Sequence, residues 1–440
     1  MKRTVLFLLI AAMSLPLSSF IVSNSTNIQS ENPGPENGGE YTVVIQGYDW
    51  GPAVSKVILP MNEGIEVANK EDYTVTVERK TDCTALSKEQ ASGERTVIYA
   101  YPSDAKGSKR EKGSHATLVL WVSPDLPIGS PIQYTRNDKC RGNNWIDYHL
   151  TITNTATNQI WDKEGGRIMP IIDRFDLSGK YVHNDEITLS YASYTPEITN
   201  QKSPLIIWLH GGGEGGTDPS IPLVANRAAN YASDEIQTFF GGAYVLAPQS
   251  PTRWMHGVSG ETTRGQEDDI YHEALMALFN DFVAKHPDID TDRIYVGGCS
   301  NGGYMTLKLI LDHPDYFAAA FPSALAYYAE YVTDKQIQQI KDIPIWFIHS
   351  KDDPVTVADK TVVPLYKRLM DAGAKNVHVS FYDHVVDITG FFGGENYHYS
   401  GHWSWIYSHA NESRFDYDGS PVLLDGRPVT VMEWMAAQKK

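Results

Sequence analysis

Arg293-Ile-Tyr-Val-Gly-Gly-Cys-Ser-Asn-Gly-Gly-Tyr304 is an apolar run that reaches a glycine-flanked serine and continues into a helical pattern. Within it, Gly298-Cys299-Ser300-Asn301-Gly302 reads G-x-S-x-G. A serine on a tight strand-to-helix turn takes a strained backbone conformation, and the residues two before and two after it must then lack side chains. The strain holds the hydroxyl exposed above the end of a sheet. Glycine accounts for 35 of the 440 residues, so the bare pattern is not specific and its surroundings must decide it.

Working outward, strand-like and helical segments alternate. Glu186 to Tyr194, the continuous apolar run Pro204 to Leu209, and Tyr244 to Ala247 precede the serine as strands. Gln266 to Lys285 has a helical period, with Ile270, Leu275, Leu278, Phe279 and Phe282 along one side. Glu267-Asp268-Asp269 reads as acids at that helix's N-terminus rather than as a cation site. After the serine come a helix from Gly303 to Leu311, strands at Ala318 to Pro322 and Ile345 to Ile348, a helix from Val362 to Ala372, and a strand from Val377 to Tyr382. This alternation predicts an α/β fold over residues 166–440, a mostly parallel sheet with helices on both faces.

Residues 40–165 read differently. Tyr41 to Ile45, Val54 to Leu59, Tyr73 to Val77, Thr96 to Tyr101, Thr117 to Val122 and Tyr148 to Ile152 are short β-branched or aromatic runs separated by turn residues. They predict a small β-sandwich. Residues 24–39 have the composition of a linker. Residues 1–23, with Lys2 and Arg3 ahead of a short, broken apolar run, read as a secretory signal. The expectation is therefore an exported protein without a membrane span after cleavage. No later segment approaches 18 continuous apolar residues.

The formal net charge of −17 disfavours nucleic acid and anionic membrane surfaces as partners. Export permits a Cys83–Cys140 disulfide, although spacing alone does not establish one. Cys299 reads as a small buried residue at a strand end. No metal-ligand spacing of the H-E-x-x-H or paired Cys-x-x-Cys kind occurs, so neither a metal nor another cofactor is expected.

An activated serine needs a base, a group to orient that base, and donors for a developing oxyanion. His210-Gly-Gly-Gly-Glu-Gly-Gly216 follows the buried strand ending at Leu209, where N–H groups of Gly212 or Gly213, with that of Asn301, could serve as donors. A phosphate-cradling loop is the rival reading, but the Gly-Lys-Ser/Thr ending is missing. Asp353, before Pro354 at the end of the Ile345 strand, is the expected orienting acid, with Asp352 as the rival. His384, His398, His402 and His409 compete for the base. Gly401-His402-Trp403 in a late loop suits it, and His384 is the main rival.

Assembled, these residues resemble a secreted esterase of the α/β-hydrolase superfamily, near the polyhydroxybutyrate-depolymerase-like and prolyl-oligopeptidase-like esterases. The matching pieces are Leu209 to Gly216, Ala247-Pro-Gln-Ser-Pro-Thr-Arg-Trp254, Gly298 to Gly303, His349 to Val355, and Gly401-His-Trp-Ser-Trp-Ile-Tyr407. Gly47-Tyr-Asp-Trp-Gly-Pro-Ala-Val-Ser-Lys56 resembles the immunoglobulin-like N-terminal domain of EstA-type carboxylesterases. The chain departs from the pattern in the loop Asp387 to Ser400 and in the two cysteines of the β domain.

The resemblance implies Ser300, Asp353 and His402 as a triad acting on a small-molecule or polymer-linked ester, and it favours His402 over His384 beyond what spacing does. Trp254 and the aromatic loop Phe391 to Tyr399 are expected to wall the substrate pocket, with packing of the sheet edge as the alternative. Rival functions are a serine peptidase on the same fold, an acetyl or feruloyl esterase acting on glycans, and a non-catalytic binding protein. Gating, self-association into a homo-oligomer and polymer binding are all open to the β domain.

Overall fold

Alternating apolar and polar side chains set the first part of the chain into strands, as in Tyr73 to Lys80, where every second residue is buried. The computed structural model describes residues 38–197 and 202–440. The expected signal segment, 1–23, and residues 24–37 of the expected linker lie outside the described residues. Ten strands follow: β1 (Gly39–Tyr48), β2 (Gly51–Ile65), β3 (Tyr73–Lys80), β4 (Ser92–Glu94), β5 (Val97–Ser103), β6 (Gly113–Leu120), β7 (Ile132–Arg136), β8 (Arg141–Trp145), β9 (Asp147–Asn154) and β10 (Ile160–Ile168), with a short helix α1 (Lys88–Ala91) between β3 and β4.

Eight of these strands form one continuous sheet in the order β4-β3-β9-β10-β1-β2-β6-β5. The expected sandwich is thus realised as a curled sheet whose two halves share a core that includes Tyr41, Val57, Leu59, Val75, Leu118, Leu150 and Trp161. Strand β10 pairs in parallel with β1 as far as Val44↔Ile168, which carries it past the expected boundary at residue 165. Strands β7 and β8 pair only with each other, as a hairpin standing off the sheet. The Cys83–Cys140 disulfide forms and ties the turn of that hairpin to the chain beyond β3.

The second sheet contains β11 (Asp176–Val182), β12 (Thr188–Tyr194), β13 (Ser203–Leu209), β14 (Tyr244–Gln249), β15 (Ile289–Cys299), β16 (Ala319–Ser323), β17 (Ile345–Ser350) and β18 (Val377–Tyr382). Its order is β11-β12-β14-β13-β15-β16-β17-β18. Pairing is parallel from β14 to β18 and antiparallel at the β11–β12 edge. The helices are α2 (Ser220–Val224), α3 (Asp234–Phe240), α4 (His272–Lys285), α5 (Asn301–Asp312), α6 (Asp334–Ile340), α7 (Val362–Asp371), α8 (Trp405–His409) and α9 (Val431–Ala436). This is the expected α/β architecture.

Every residue of β13 is buried, and its side chains divide by parity between two cores. Ile206 and Trp208 join the cluster that includes Phe240 and Trp434, while Leu205, Ile207 and Leu209 join the one with Phe279, Leu307 and Leu365. The first of these cores is continuous with that of the β domain.

One helix starts later than expected. Helix α4 begins at His272, because Asp269 accepts the N–H groups of Tyr271 and His272 and so ends the preceding loop. The three acids lie in that loop, and Lys308 Nζ sits 2.8 Å from Asp268. No helix among the described residues is long and apolar enough to cross a membrane.

The disulfide closes a sequence separation of 57 residues. Replacing both Cys83 and Cys140 by Ala is expected to lower stability by about 2–4 kcal/mol. Urea unfolding of the two proteins measures this, and coincident curves would contradict it.

Candidate active site

Strand β15 ends at Cys299 and α5 begins at Asn301, leaving Ser300 alone on the turn with φ +54° and ψ −107°. Positive φ is costly for a residue with a side chain, and neighbouring contacts enforce it here. A Cβ on Gly302 would lie 1.9 Å from the Leu209 carbonyl oxygen, and one on Gly298 would lie 2.6 Å from the Gly302 backbone. Both glycines of the pattern are therefore sterically required. The Ser300 N–H donates to the Ser323 carbonyl at 2.9 Å, which fastens the turn to β16.

The structure brings Ser300, His402 and Asp353 into one hydrogen-bonded chain. His402 Nε2 lies 2.9 Å from Ser300 Oγ, and His402 Nδ1 lies 2.9 Å from Asp353 Oδ2 and 3.1 Å from Oδ1. Asp353 also accepts the N–H groups of Val355 and Thr356 and the Thr356 hydroxyl, so its carboxylate is fixed on every side. Burial alone would raise this carboxyl, but the His402 contact and the Thr356 donors outweigh it and hold the group ionised, well below the usual carboxylate range. With Asp353 as an acceptor, His402 carries its proton on Nδ1 and turns an unprotonated Nε2 toward the serine.

The rival residues are paired elsewhere. His384 Nδ1 lies 2.8 Å from Asp352 Oδ2, so the two rivals engage each other. His398 stacks on His384 at 4.3 Å, and His409 is fully buried against Trp208 and Tyr231.

The glycine-rich loop after β13 lies beside the serine turn. A Cβ on Gly212 would meet the Asn301 side chain at 3.6 Å. Among the described residues, the N–H groups of Gly212, Gly213 and Asn301 donate to no protein acceptor. Three free donors therefore remain near Ser300, as an oxyanion site requires. His210 anchors the loop's first residue. Its Nδ1–H donates to the Gly211 carbonyl at 2.6 Å and its Nε2 accepts the Ser250 N–H at 3.1 Å, which fixes its tautomer. Asn301 Oδ1 accepts the Met255 N–H at 3.1 Å and so joins the turn to the loop after β14.

Trp254 departs from expectation. It is wholly buried, with its ring 4.8 Å from that of His210 and edge-on to Tyr271 at 5.9 Å. It packs between His210, at the start of the glycine loop, and Tyr271, just ahead of α4, and walls no open pocket because none of its surface is exposed. The aromatic loop does reach the outside: Phe391 is 67% exposed and packs on Trp121 of the β domain at 5.7 Å, while Phe392 meets Trp50 at 5.0 Å. At its other end Tyr399 stacks on Trp403, the neighbour of His402, at 5.9 Å.

Sequence reasoning missed the contacts that cross from the β domain. Asn143 of β8 touches Gly213 and Glu214, Trp145 Nε1 donates to Ser220 Oγ, and Arg227 pairs with the buried Asp49 at 2.9 Å. Such contacts join residues 70 or more positions apart, where no local pattern carries a signal.

Two measurements test this packing. Trp254→Ala is expected to cost about 3–5 kcal/mol of stability while changing relative rates among substrates little. Paired melting and kinetic measurements in the opposite order would restore a pocket role. The second concerns pH. Burial pushes His210 and His349 down to about 4 and His409 to about 3. Each takes up a proton on unfolding below its ordinary value of 6.5, so its stabilising contribution is complete above that value and is lost as the pH falls toward 4. Glu214 has the opposite sign. Burial raises it to about 7, so its contribution is complete below 4.5 and is lost as the pH rises through 7. Between these limits the three histidines outweigh the one carboxyl. Stability from urea melts is expected to fall from pH 6.5 to pH 4.5, and more steeply in Glu214→Gln; a rise on acidification would contradict the assignment.

Residues 40–165 match the esterase Ig-like N-terminal domain, and residues 253–374 match the prolyl oligopeptidase family. The chain is 23% identical to a probable dipeptidyl-aminopeptidase B of Talaromyces marneffei over 86% of its length and 42% of the relative's. It is 32% identical to feruloyl esterase B of Neurospora crassa over 29% of this chain and 40% of that protein. It is 27% identical to poly(3-hydroxyalkanoate) depolymerase C of Paucimonas lemoignei over 31% of each. The chain thus spans between about a third and two fifths of the length of these curated relatives. In three dimensions it resembles a thermostable esterase with a TM-score of 0.71 and 24% identity, covering 91% of this chain and all of the other. The chain is therefore similar over residues 40–165 to the esterase Ig-like N-terminal domain and over residues 253–374 to the prolyl oligopeptidase family, and it shares its fold with the thermostable esterase.

Proposed function

We propose that the protein is a serine hydrolase of carboxylic esters working through a covalent acyl-enzyme. The observation that carries this reading is the unbroken chain from Asp353 through His402 to Ser300, set on a strained turn beside free N–H donors. In the first half-reaction His402 Nε2 takes the Ser300 proton as Oγ attacks the ester carbonyl. Asp353, fixed and ionised, holds the imidazole and stabilises its cationic form. The N–H groups of Asn301 and of Gly212 or Gly213 hold the tetrahedral oxyanion. His402 then gives the proton to the leaving alcohol. In the second half, water activated by the same imidazole releases the acid and restores Ser300.

The relatives named for feruloyl esters and polyhydroxyalkanoates support an ester as substrate, either small or attached to a polymer. The prolyl-oligopeptidase match favours a second reading, hydrolysis of a peptide bond by the same residues. A panel of acyl esters, decorated polysaccharides and aminoacyl amides separates the two. In this reading residues 1–23 direct export, and the Cys83–Cys140 disulfide supports an oxidising compartment.

Ser300→Ala and His402→Ala are each expected to lose at least about a thousandfold in kcat with little change in melting temperature. Asp353→Asn is expected to fall nearly as far, whereas Asp352→Asn keeps activity within about threefold. Covalent labelling by an organophosphonate is expected at Ser300 alone. A Ser300→Ala protein with wild-type turnover sinks the reading, and an unlabelled, inactive wild type favours a binding protein.

A further inference from the structure

The β7–β8 hairpin belongs to the β domain in sequence, yet it rests on the glycine loop after β13. The Asn143 N–H donates to the Gly213 carbonyl at 2.6 Å, and the Asn143 side-chain amide donates to Glu214 Oε1 at 3.0 Å. The approach is close on both sides. A Cβ on Gly142 would fall 2.4 Å from the Gly213 carbonyl oxygen, and one on Gly213 would fall 3.2 Å from the Tyr134 ring and 3.3 Å from the Asn143 amide.

Glu214 turns this contact into a brace. It is buried, and its carboxyl folds back against Gly211, where a Cβ would meet Oε2 at 2.9 Å. Its main-chain carbonyl accepts the Gln249 amide at 2.8 Å. The segment from Gly211 to Glu214 is thus held from inside by one carboxyl and from the β domain by one asparagine. Between those fixed ends stand the Gly212 and Gly213 N–H groups, which have no acceptor of their own. Glycine has no side chain with which to hold itself in place, so the shape of this loop depends on what surrounds it.

We propose that Asn143 is a positioning residue of the active site, holding the Gly211–Glu214 loop in the shape that binds the oxyanion. The inference rests on the reading of Ser300 as nucleophile. The β domain thereby completes the hydrolase site. Oxyanion contacts strengthen in the transition state, so slackening the loop lowers kcat and leaves KM nearly unchanged.

The test compares Asn143→Ala, Asn143→Asp and, as a control on the same hairpin, Asn144→Ala, whose side chain reaches only the Gly142 carbonyl. Asp copies the shape of Asn but, assayed above pH 7 where Glu214 is ionised, sets a carboxylate against it in place of a donor. Both Asn143 variants are expected to lose about 10- to 100-fold in kcat, with KM within threefold and with phosphonate still attached at Ser300. Affinity for a trifluoromethyl ketone, a tetrahedral mimic, is expected to weaken by the same factor as kcat/KM. The control is expected to stay near wild type.

Wild-type kcat in Asn143→Ala, or an equal loss in Asn144→Ala, overturns the inference while leaving Ser300 as nucleophile intact. Unfolding of both Asn143 variants at the assay temperature overturns it too, since the residue would then serve folding alone. Full turnover in Ser300→Ala instead sinks the serine reading beneath it.

Discussion

The Leu209 carbonyl, at the end of β13, presses against Gly302 so closely that a Cβ there would sit 1.9 Å away. That backbone approach brings the serine turn and the glycine loop side by side. It rests on the parallel register of β13 and β15, which sets Leu209 opposite Gly298. Fully buried strands of this kind allow no slip, because a one-residue shift would exchange the two faces of β13 and with them two hydrophobic cores. The position of Ser300 is therefore a property of the sheet's register as much as of the turn.

The two adjacent carboxylates show how small differences in geometry divide labour. Asp353 is buried, collects donors from Val355 and Thr356, and faces His402. Asp352 is more open, takes the Ser350 hydroxyl, and faces His384. The molecule thus contains two carboxylate–imidazole couples side by side, and only one has a serine hydroxyl at its far nitrogen. Pairing of acid and base is by itself a weak indicator of chemistry; what distinguishes His402 is the third member.

What the sequence disclosed follows the range of the interactions. The serine turn and the buried strand before the glycine loop were legible because each depends on neighbours a few residues away, whereas His402, 49 and 102 positions from Asp353 and Ser300, was preferred over His384 on a family resemblance. The curled sheet of the β domain was legible only as strands, since its closure lies in pairings such as β1 with β10. The late start of α4 turned on one side chain, Asp269, whose carboxyl satisfies the first amides of the helix. Trp254 misled for a physical reason: an aromatic residue in a loop near a site suits a wall and a core equally, and only burial tells them apart. The Asn143 contact had no sequence signal at all.

The continuous hydrophobic cluster bears on how such a chain can be rearranged. Tyr41, Val57 and Leu150 on one side, and Trp208, Phe240 and Trp434 on the other, belong to one buried body. Beside it the two sides are also joined by the ion pair of buried Asp49 with Arg227 and by the Trp145–Ser220 hydrogen bond. The covalent boundary near Ile168 is therefore not a mechanical one. Recombination that joined this α/β half to a foreign N-terminal half would leave Arg227 without its carboxylate and an apolar seam open to water.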